Sequence, residues 1–378
     1  MIDIFIAGDF GYRNRVAQKI EAGNGIDLFE NIQSQIAQAD YSIVNLESPV
    51  GSVKDRINKC GPSIFCKEEA ITVLKQIGFD MVTLANNHFY DCGQSGVERT
   101  IECCKKNGLD TIGGGKNLNE ANTIKTIDIK GKKISFINVC ENEFSLATDY
   151  HGGSKHLDPI SQYYEIHNAN RVSDYIIVIV HGGHEYYQLP SPRMQNIYRF
   201  FIDAGASAVV NHHQHCFSGF EIYKGKPIFY GLGNFCFDSS DNKRNHEWNR
   251  GFAVVLSLNN SNIDYNLISY IQCDDSAGIR TMTDLELKDF QLRLYELNEI
   301  ISNPYKLKSA FSKFVTSSQE NINIFNPFFN GITSRIYKYK WFPSLITKKQ
   351  RMLQLHYIQC ESHRDKLLAA MRNNLCLK

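Results

Sequence analysis

Short runs rich in isoleucine and valine alternate with longer segments of helical periodicity along the first 280 residues of this chain. We interpret eight of the runs as strands, at residues 2–7, 41–46, 81–84, 134–139, 175–180, 208–210, 228–230 and 252–258. Helical patterns fill residues 32–39, 68–77, 96–107 and 194–204 between them. Continuous apolar runs are typical of buried strands, and this order of elements predicts an α/β fold of layered sheets flanked by helices. We expect the strand at 252–258 to end the regular part.

The sequence changes character near residue 281, and we predict a helical, basic C-terminal extension over residues 281–378. Residues 284–301 carry apolar side chains at helical spacing with charges between them. From residue 301 to the end, 13 lysines and arginines stand against three acidic residues. We therefore expect residues 1–280 to form the α/β domain. The content of 43% hydrophobic and 21% charged residues is typical of a globular chain.

Polar side chains capable of chemistry follow five of the predicted strands. They are Asp9, Glu47, Asn87, His88, His181, His213 and His215. Ligands of open α/β sheets bind beyond the carboxyl ends of the strands, so we expect these side chains to share one edge. Each of them alone is more typical of a helix cap or a loop contact, but five strand ends in succession favour a common site.

A divalent metal site accounts best for this mixture of donors. Imidazole nitrogens suit transition metals, whereas carboxylate and amide oxygens suit harder ions such as manganese. A bridging carboxylate can hold two ions about 3.5–4 Å apart, as in two-metal phosphoesterases. We therefore expect one or two divalent cations, and the sequence does not distinguish manganese, zinc and iron.

Seven short motifs run in order across residues 1–258. They are Gly8-Asp9, Asn45-Leu46-Glu47-Ser48-Pro49, Leu84-Ala85-Asn86-Asn87-His88, Asp91-x-Gly93, His181-Gly182-Gly183-His184-Glu185-Tyr186, His213-Gln214-His215 and Gly231-Leu232-Gly233-Asn234-Phe235. Together they resemble the bacterial capsule-synthesis proteins of the CapA type, also called poly-γ-glutamate synthesis proteins. These belong to the calcineurin-like metallophosphatase superfamily, so the resemblance implies a metallophosphatase-like layered β-sandwich.

The resemblance also implies a role for each candidate residue. Asp9 and His215 are implied to bind the first metal, and Glu47 to bridge the two metals. The second metal is implied to be held by three residues, Asn87, His181 and His213. His88 is implied to be catalytic, because the matching histidine stabilises the scissile group or protonates the leaving group. His212 matches a spacer position.

The chain departs from the superfamily pattern in three places. The usual Asp-x-His is Asp9-Phe10-Gly11 here, so the first metal site lacks one ligand. Glu47 replaces the usual aspartate and extends the carboxylate by one methylene. His181-Gly182-Gly183 stands where His-Trp-Gly is typical. We expect a weaker first metal site and a more open pocket beside Gly182.

Arg13 is the second catalytic candidate. A guanidinium four residues after Asp9 is suited to clamp a phosphate or a carboxylate with two hydrogen bonds. The alternative is a solvated arginine at the start of a helix. Glu185 likewise has two interpretations, as a carboxylate that orients His181 or as part of a loop ion pair.

The segment 335–351 combines basic and aromatic side chains without an acidic residue. Such a segment suits peripheral contact with an anionic membrane surface or a polyanionic polymer, and a solvated basic face is the alternative. No nucleic-acid recognition module is visible, so nucleic acid is not an expected partner. No apolar stretch approaches the ~18–20 residues of a membrane span, and the first residues lack the basic start of a signal peptide. We expect a cytoplasmic protein, either free or membrane-associated.

The resemblance and the donor pattern together predict a metal-dependent, phosphoesterase-like hydrolase in bacterial capsule or surface-polymer biosynthesis. Its expected partner is a phosphorylated or anionic surface polymer or the precursor of one. A metallo-amidase acting on γ-glutamyl bonds is one alternative, because a metal-activated hydroxide attacks either centre. A non-catalytic, polymer-binding scaffold subunit is the other.

Overall fold

The computed structural model describes residues 1–59, 61–239, 246–259, 262–317 and 347–374. Its strands are β1 (Ile2–Gly11), β2 (Tyr41–Leu46), β3 (Met81–Thr83), β4 (Asp110–Ile112), β5 (Gly114–Gly115), β6 (Lys125–Ile129), β7 (Lys132–Cys140), β8 (Gly153–Ser154), β9 (Tyr175–His181), β10 (Ala208–His212), β11 (Phe220–Tyr223), β12 (Lys226–Phe229), β13 (Asn234–Phe237), β14 (Arg250–Asn259), β15 (Asn262–Gln272) and β16 (Ile279–Thr281). Its helices are α1 (Asn14–Glu21), α2 (Gln33–Gln38), α3 (Glu68–Gln76), α4 (Gly93–Lys106), α5 (Leu118–Ala121), α6 (Pro159–Ala169), α7 (Pro192–Ala204), α8 (His246–Asn249), α9 (Asp284–Ile301), α10 (Pro304–Ser317), α11 (Lys348–Gln359) and α12 (Glu361–Asn374), with 3-10 turns at Ile26–Phe29 and Val53–Asp55.

Two large sheets form the centre of the fold. The first has the strand order β16-β15-β14-β1-β2-β3-β4, with β13 also paired to β1. The second has the order β11-β12-β10-β9-β7-β6. Strands β1 to β4 are parallel, as are β12, β10, β9 and β7. Parallel strands end at the same edge of their sheet, which is the edge that carries the predicted site.

Strand β1 shows how one sequence run serves two cores. Ile4 and Ile6 belong to the cluster that also contains the apolar residues of β7, β9 and β10. Phe5 and Ala7 belong to the cluster formed with α1, α3 and α4. Successive side chains of a strand point to opposite faces, so β1 is apolar on both sides.

Helices cover the outer faces of both sheets. Val16 and Ile20 of α1, with Ile71 of α3, pack under the first sheet. Ile166 of α6 and Phe201 of α7 pack with the second. The predicted α/β fold of layered sheets flanked by helices is therefore confirmed.

The C-terminal region is helical wherever the structure describes it. Helix α9 buries Phe290, Leu294 and Leu297 in the same cluster as the second sheet. Asn298 Oδ1 also accepts a hydrogen bond from the backbone amide of Phe220 on β11, at 2.7 Å. The boundary between the α/β domain and the C-terminal extension at residue 280 stays a prediction. Helix α9, which follows that boundary, packs in the same core as the sheets.

Several sequence predictions need correction. Strand β1 continues to Gly11, so Asp9 lies within it rather than after it. The regular part does not end at residue 258, because β15 and β16 extend the first sheet by antiparallel pairing. Helices α1 and α6 were not predicted. Of the basic and aromatic segment 335–351, residues 335–346 lie outside the described part of the chain.

Candidate metal centre

The predicted site residues meet at the carboxyl ends of five strands. They are Asp9 near the end of β1, Glu47 after β2, Asn87 and His88 after β3, His181 at the end of β9, and His213 and His215 after β10. All seven are buried, and the two carboxylates are completely shielded from solvent. The shared edge expected from the sequence is present in the structure.

Asp9, Glu47 and His215 form the first group of donors. One ligand atom from each lies within 4.8 Å of those of the other two. His215 Nδ1 lies 2.8 Å from Oδ1 of Asn234, so Nδ1 carries the proton and Nε2 keeps its lone pair. Two carboxylates and one such imidazole are a donor set that suits manganese, zinc or iron.

Asn87, His181 and His213 form the second group of donors. His181 Nε2 lies 3.1 Å from Asn87 Oδ1 and 3.1 Å from His213 Nδ1. A proton on Nε2 serves only one of these two neighbours, whereas a cation held among the three atoms satisfies each of them. Ligands bound to a metal at about 2.0–2.2 Å are themselves roughly 3 Å apart, so the observed spacing fits a ligand set.

Glu47 lies between the two groups. Its Oε1 is 3.7 Å from His215 Nε2 and 4.0 Å from His181 Nε2, and neither carboxylate oxygen has a hydrogen-bond partner in the described structure. Burial, and then the charge of Asp9, raise the pKa of Glu47 well above its usual range. A buried carboxylate without a partner is costly, and a divalent cation is the partner that these neighbours fit. The residues present therefore fit the metals that the sequence implied.

The backbone at the site departs from regular geometry. The pairing of β1 with β2 shifts in register between Ile6 and Asp9, and such irregularities redirect side chains beside active sites. His213 has φ 98° and His215 has φ 55°. Positive φ is unfavourable for residues with a Cβ and persists where the surroundings enforce it. Here it places both imidazoles on the same side as Asp9 and Glu47.

His88 lies beside the donors, held by Asp91. Nδ1 of His88 donates to Asp91 Oδ2 at 2.7 Å, and Nε2 lies 3.9 Å from Glu47 Oε1. Lys59 pairs with the other oxygen of Asp91 and is itself almost fully buried. Desolvation, and then the charge of Lys59, lower the pKa of His88 to about 4. The ring is therefore neutral at pH 7, and the lone pair of Nε2 is free to accept a proton.

Arg13 is exposed at the entrance to the site. It lines a cavity of about 160 Å³ together with His88 and His215. Glu185, Tyr186, Phe237 and Trp248 contribute to the walls of the same cavity. The structure thus brings Arg13 near the donors, and its use as an anion clamp stays a prediction.

Phe237 occupies the position of the ligand that the first site lacks. A side chain at Gly11 would begin 2.4 Å from the ring of Phe237. That ring packs edge-on against His215, with centroids 5.2 Å apart. An aromatic wall therefore replaces the histidine of the superfamily pattern, and the described residues offer no fourth His, Cys or acidic donor in this group.

The pocket beside Gly182 is filled rather than open, contrary to the expectation from the sequence. A Cβ at residue 182 would lie 2.8 Å from Cγ of Glu141. Glu141 accepts hydrogen bonds from the backbone amide of Gly183 at 3.1 Å, from Arg193 of α7 and from Ser362 of α12. The absence of a bulky residue at position 182 makes room for the carboxylate that connects the site loop to the C-terminal helices.

Sequence reasoning missed the supporting residues Lys59 and Asp91. Asp91 belongs to the motif Asp91-x-Gly93, but the sequence alone assigned it no role. It follows His88 by three residues, a spacing that permits a side-chain contact. Lys59 had no local signal, since it comes from a separate loop. His212 points away from the donors, with Nε2 2.9 Å from the backbone oxygen of Ala7, as a spacer residue would.

The chain is similar to known bacterial capsule-synthesis proteins over most of residues 1–280. A family model described as bacterial capsule synthesis protein PGA_cap matches residues 3–239. The chain is 33% identical over 221 residues to the capsule biosynthesis protein CapA of Bacillus anthracis, which covers 56% of this chain and 54% of that protein. It is 32% identical over 241 residues to the PGA biosynthesis protein CapA of Bacillus subtilis. That alignment covers 59% of this chain and 60% of that protein. The chain thus spans little more than half the length of the curated relatives it matches.

A solved calcineurin-like phosphoesterase from Bacillus subtilis aligns with a TM-score of 0.40 and 13% identity, over 82% of this chain and 98% of that one. In the described part of the chain, no helix is both long and apolar enough to cross a membrane.

Proposed function

This chain belongs to the PGA_cap family of bacterial capsule synthesis proteins, and on that premise we propose that it is a metal-dependent, phosphoesterase-like hydrolase in capsule or surface-polymer biosynthesis. The family resemblance read from the motifs is confirmed by the match over residues 3–239. Hydrolysis, its substrate and its metals are the proposal.

One observation carries the proposal, namely the buried carboxylate of Glu47 without a hydrogen-bond partner. Three imidazoles surround its Oε1, with Nε2 atoms of His215, His88 and His181 at 3.7, 3.9 and 4.0 Å. These contacts are too long to be hydrogen bonds. An acidic side chain so placed is expensive in a metal-free structural core and is appropriate to a metal centre.

The residues of this chain have separable tasks in such a hydrolysis. Asp9, Glu47 and His215 would hold one cation, and Asn87, His181 and His213 the second, with Glu47 between them. The bound cations would supply an activated water and neutralise the charge that develops on the substrate. His88, oriented by Asp91, presents the lone pair of Nε2 toward the same space, so it can accept a proton from the attacking water and pass it to the leaving group. Arg13 at the entrance is suited to bind an anionic group of the substrate.

We propose that the substrate is a phosphorylated or otherwise anionic surface polymer or its precursor. One relative is named for PGA biosynthesis and another for capsule biosynthesis, which supports this class of substrate. The exposed guanidinium of Arg13 places a positive charge at the entrance of the cavity, which supports an anionic substrate.

The test is metal content by mass spectrometry, combined with manganese-dependent hydrolysis of a chromogenic phosphodiester. We expect one or two ions per chain in the wild type, and loss of both metal and hydrolysis in His213→Ala. His167→Ala, an exposed histidine on α6, is the matched control and should behave as the wild type. Absence of metal from the wild type would refute the proposal. Bound metal without hydrolysis of the ester would instead favour the metallo-amidase or the scaffold subunit.

A further inference from the structure

A second cavity, of about 300 Å³, lies between the loop after β9 and the C-terminal helices. We name it the histidine pocket after His184, His356 and His363, which line it together with Lys366 and Glu185. Glu185 also lines the cavity that contains His88 and His215, so the two cavities adjoin. The pocket is thus next to the metal centre without sharing its donor residues.

The three imidazoles each have a buried nitrogen without a hydrogen-bond partner in the described structure. These atoms are Nε2 of His184, Nδ1 of His356 and Nδ1 of His363. The nearest acidic contact of His356 is Glu143 Oε2 at 4.0 Å, too far for a hydrogen bond. His184 is only 4% exposed. A buried polar group without a hydrogen-bond partner is costly, so three around one cavity indicate a site built for a ligand.

Lys366 adds a cation to the same cavity. Its Nζ lies 4.6 Å from the centre of the Phe314 ring, and its side chain is partly buried. Among the described lining residues Glu185 is the one acid, and it stands at the border with the metal centre. The ammonium of Lys366 supplies positive charge and the three neutral imidazoles can each donate one N–H, which together favour an anionic ligand.

The helix that supplies two of these residues is firmly attached. Arg193 of α7 pairs with both Glu141 and Asp365, and Ser362 donates to Glu141. Glu361 accepts a hydrogen bond from the backbone amide of Asn142 at 3.1 Å. These contacts fix the first turns of α12, where His363 and Lys366 lie. The pocket is therefore a defined feature of the fold rather than an accidental gap.

The described residues do not favour a metal in this pocket. Among the described residues, one set of His, Cys, Asp or Glu donors has ligand atoms close enough to hold an ion. That set is Asp9, Glu47 and His215, outside this pocket. In the histidine pocket the nitrogen donors are instead spread apart beside aromatic side chains, which suits a larger organic anion.

We propose that the histidine pocket binds an anionic group, a carboxylate or a phosphate, of the substrate chain whose scissile bond lies at the metal centre. This rests on the proposed function. The C-terminal helices α11 and α12 lie outside the part of the chain matched by the family model, so substrate recognition here would be supplied by this chain's own extension.

The experiment measures binding by calorimetry to the full-length, metal-stripped protein. The probes are inorganic phosphate and a tripeptide of glutamate joined through its γ-carboxyl groups. Lys366→Met and His184→Gln test the pocket from opposite walls. Lys348→Met, an exposed lysine on α11, and His167→Gln are the matched controls. Thermal unfolding of each variant shows whether it has folded.

We expect the wild type and both controls to bind one probe in the pocket and each pocket variant to bind it at least roughly tenfold more weakly, the size of one lost charge-assisted hydrogen bond. Preference for phosphate or for the tripeptide identifies the source of the anion. Failure of the wild type to bind either probe, or unchanged binding by folded pocket variants, would overturn the proposal. Because metal is absent from the assay, these outcomes are independent of whether the hydrolysis proposal stands.

Discussion

Asp91 determines what the imidazole of His88 can do. Its Oδ2 accepts hydrogen bonds from His88 Nδ1 at 2.7 Å and from the backbone amide of Ile64 at 2.8 Å, so the carboxylate is itself fixed in position. The ring of His88 can then present only Nε2 to the cavity. A histidine without this partner would lose its tautomer and its orientation together. Asp91 is therefore a positioning residue, which acts on chemistry through His88.

Replacing Asp91 with asparagine should lower kcat for phosphodiester hydrolysis by about 10²-fold, since proton transfer by a positioned side chain contributes roughly that much. The metal content should remain that of the wild type, because Asp91 is not among the proposed ligands. The pH profile of kcat should change as well, since His88 is no longer held in the tautomer and orientation that transfer the proton. Unchanged kcat and pH profile would show that Asp91 is merely structural.

Asp264→Asn, at an exposed position of β15, is the control for that substitution and should leave kcat unchanged. Thermal unfolding must accompany the measurement, because Lys59 loses its partner in Asp91→Asn. A buried cation without its acid costs about 3–5 kcal/mol. A lowered melting temperature with retained metal is thus expected, and it separates loss of stability from loss of proton transfer by His88.

At the scale of elements, α12 is attached to the α/β layers mainly through Arg193 of α7. The guanidinium contacts Asp365 on α12 and Glu141 after β7, and Glu141 also accepts from Ser362. Burial disfavours the charge on Arg193, but the two carboxylates more than compensate and raise its pKa above the ordinary value. The helix therefore depends on a small, mostly buried charge network.

Arg193→Met should loosen α12 while leaving the sheets intact. We expect amide hydrogen exchange across Glu361–Asn374 to accelerate by at least about tenfold, which corresponds to roughly 1.4 kcal/mol of local stability. Exchange in β9 and β10 should be unchanged. Arg199→Met is the matched control, since Arg199 is on the same helix but pairs with Glu221 of β11. Equal exchange of α12 in both variants would contradict this anchoring.

The sequence predicted those elements whose signal is local. The run at 41–46, rich in apolar residues, matches β2, and helix 284–301 matches α9, because each buries a face that its own residues define. Strand β15 was missed although Ile263, Tyr265 and Leu267 alternate with polar residues, the pattern of a strand with one solvated face. Its partly exposed side chains lacked the continuous run that marked the other strands.

The site was predictable as far as it lies at strand ends. The six proposed metal donors and His88 lie at or near the ends of strands that the sequence itself marks. Lys59, Glu141 and the C-terminal histidines could not be found this way, because long-range packing alone brings them to the centre. His363 follows the proposed metal ligand His181 by nearly half of the chain in sequence order yet lines an adjoining cavity.

At the scale of the whole molecule, burial of imidazoles links the two cavities to stability. Desolvation lowers the pKa of seven histidines, and neighbouring cations reinforce this for most of them. They are His88, His181, His184, His212, His213, His356 and His363. Three acids act in the opposite sense, since burial raises the pKa of Glu47 well above normal, that of Glu143 to about 8 and that of Asp365 above its usual value. The histidines outnumber them.

The metal-free protein should therefore lose stability as the pH falls below 6.5. An unfolded histidine takes up its proton near its ordinary pKa of 6.5, whereas folded His88 and His363 stay neutral down to about 4 and folded His356 to about 3. The unfolded state then binds more protons, and the free energy of unfolding decreases by about 1.4 kcal/mol per pH unit for each such histidine. The loss begins at 6.5 and continues until the folded pKa is reached.

Urea unfolding of the metal-stripped chain from pH 8 to pH 5 measures this directly. We expect a midpoint that falls steeply below pH 6.5, before most surface carboxylates take up protons. A His356→Gln, His363→Gln double variant should show a shallower decrease, because two of the groups that remain neutral in the folded state are gone. A midpoint that stays level between pH 7 and pH 5 would mean that the buried imidazoles accept protons without unfolding. Solvent or a bound anion would then have to reach them in the folded chain.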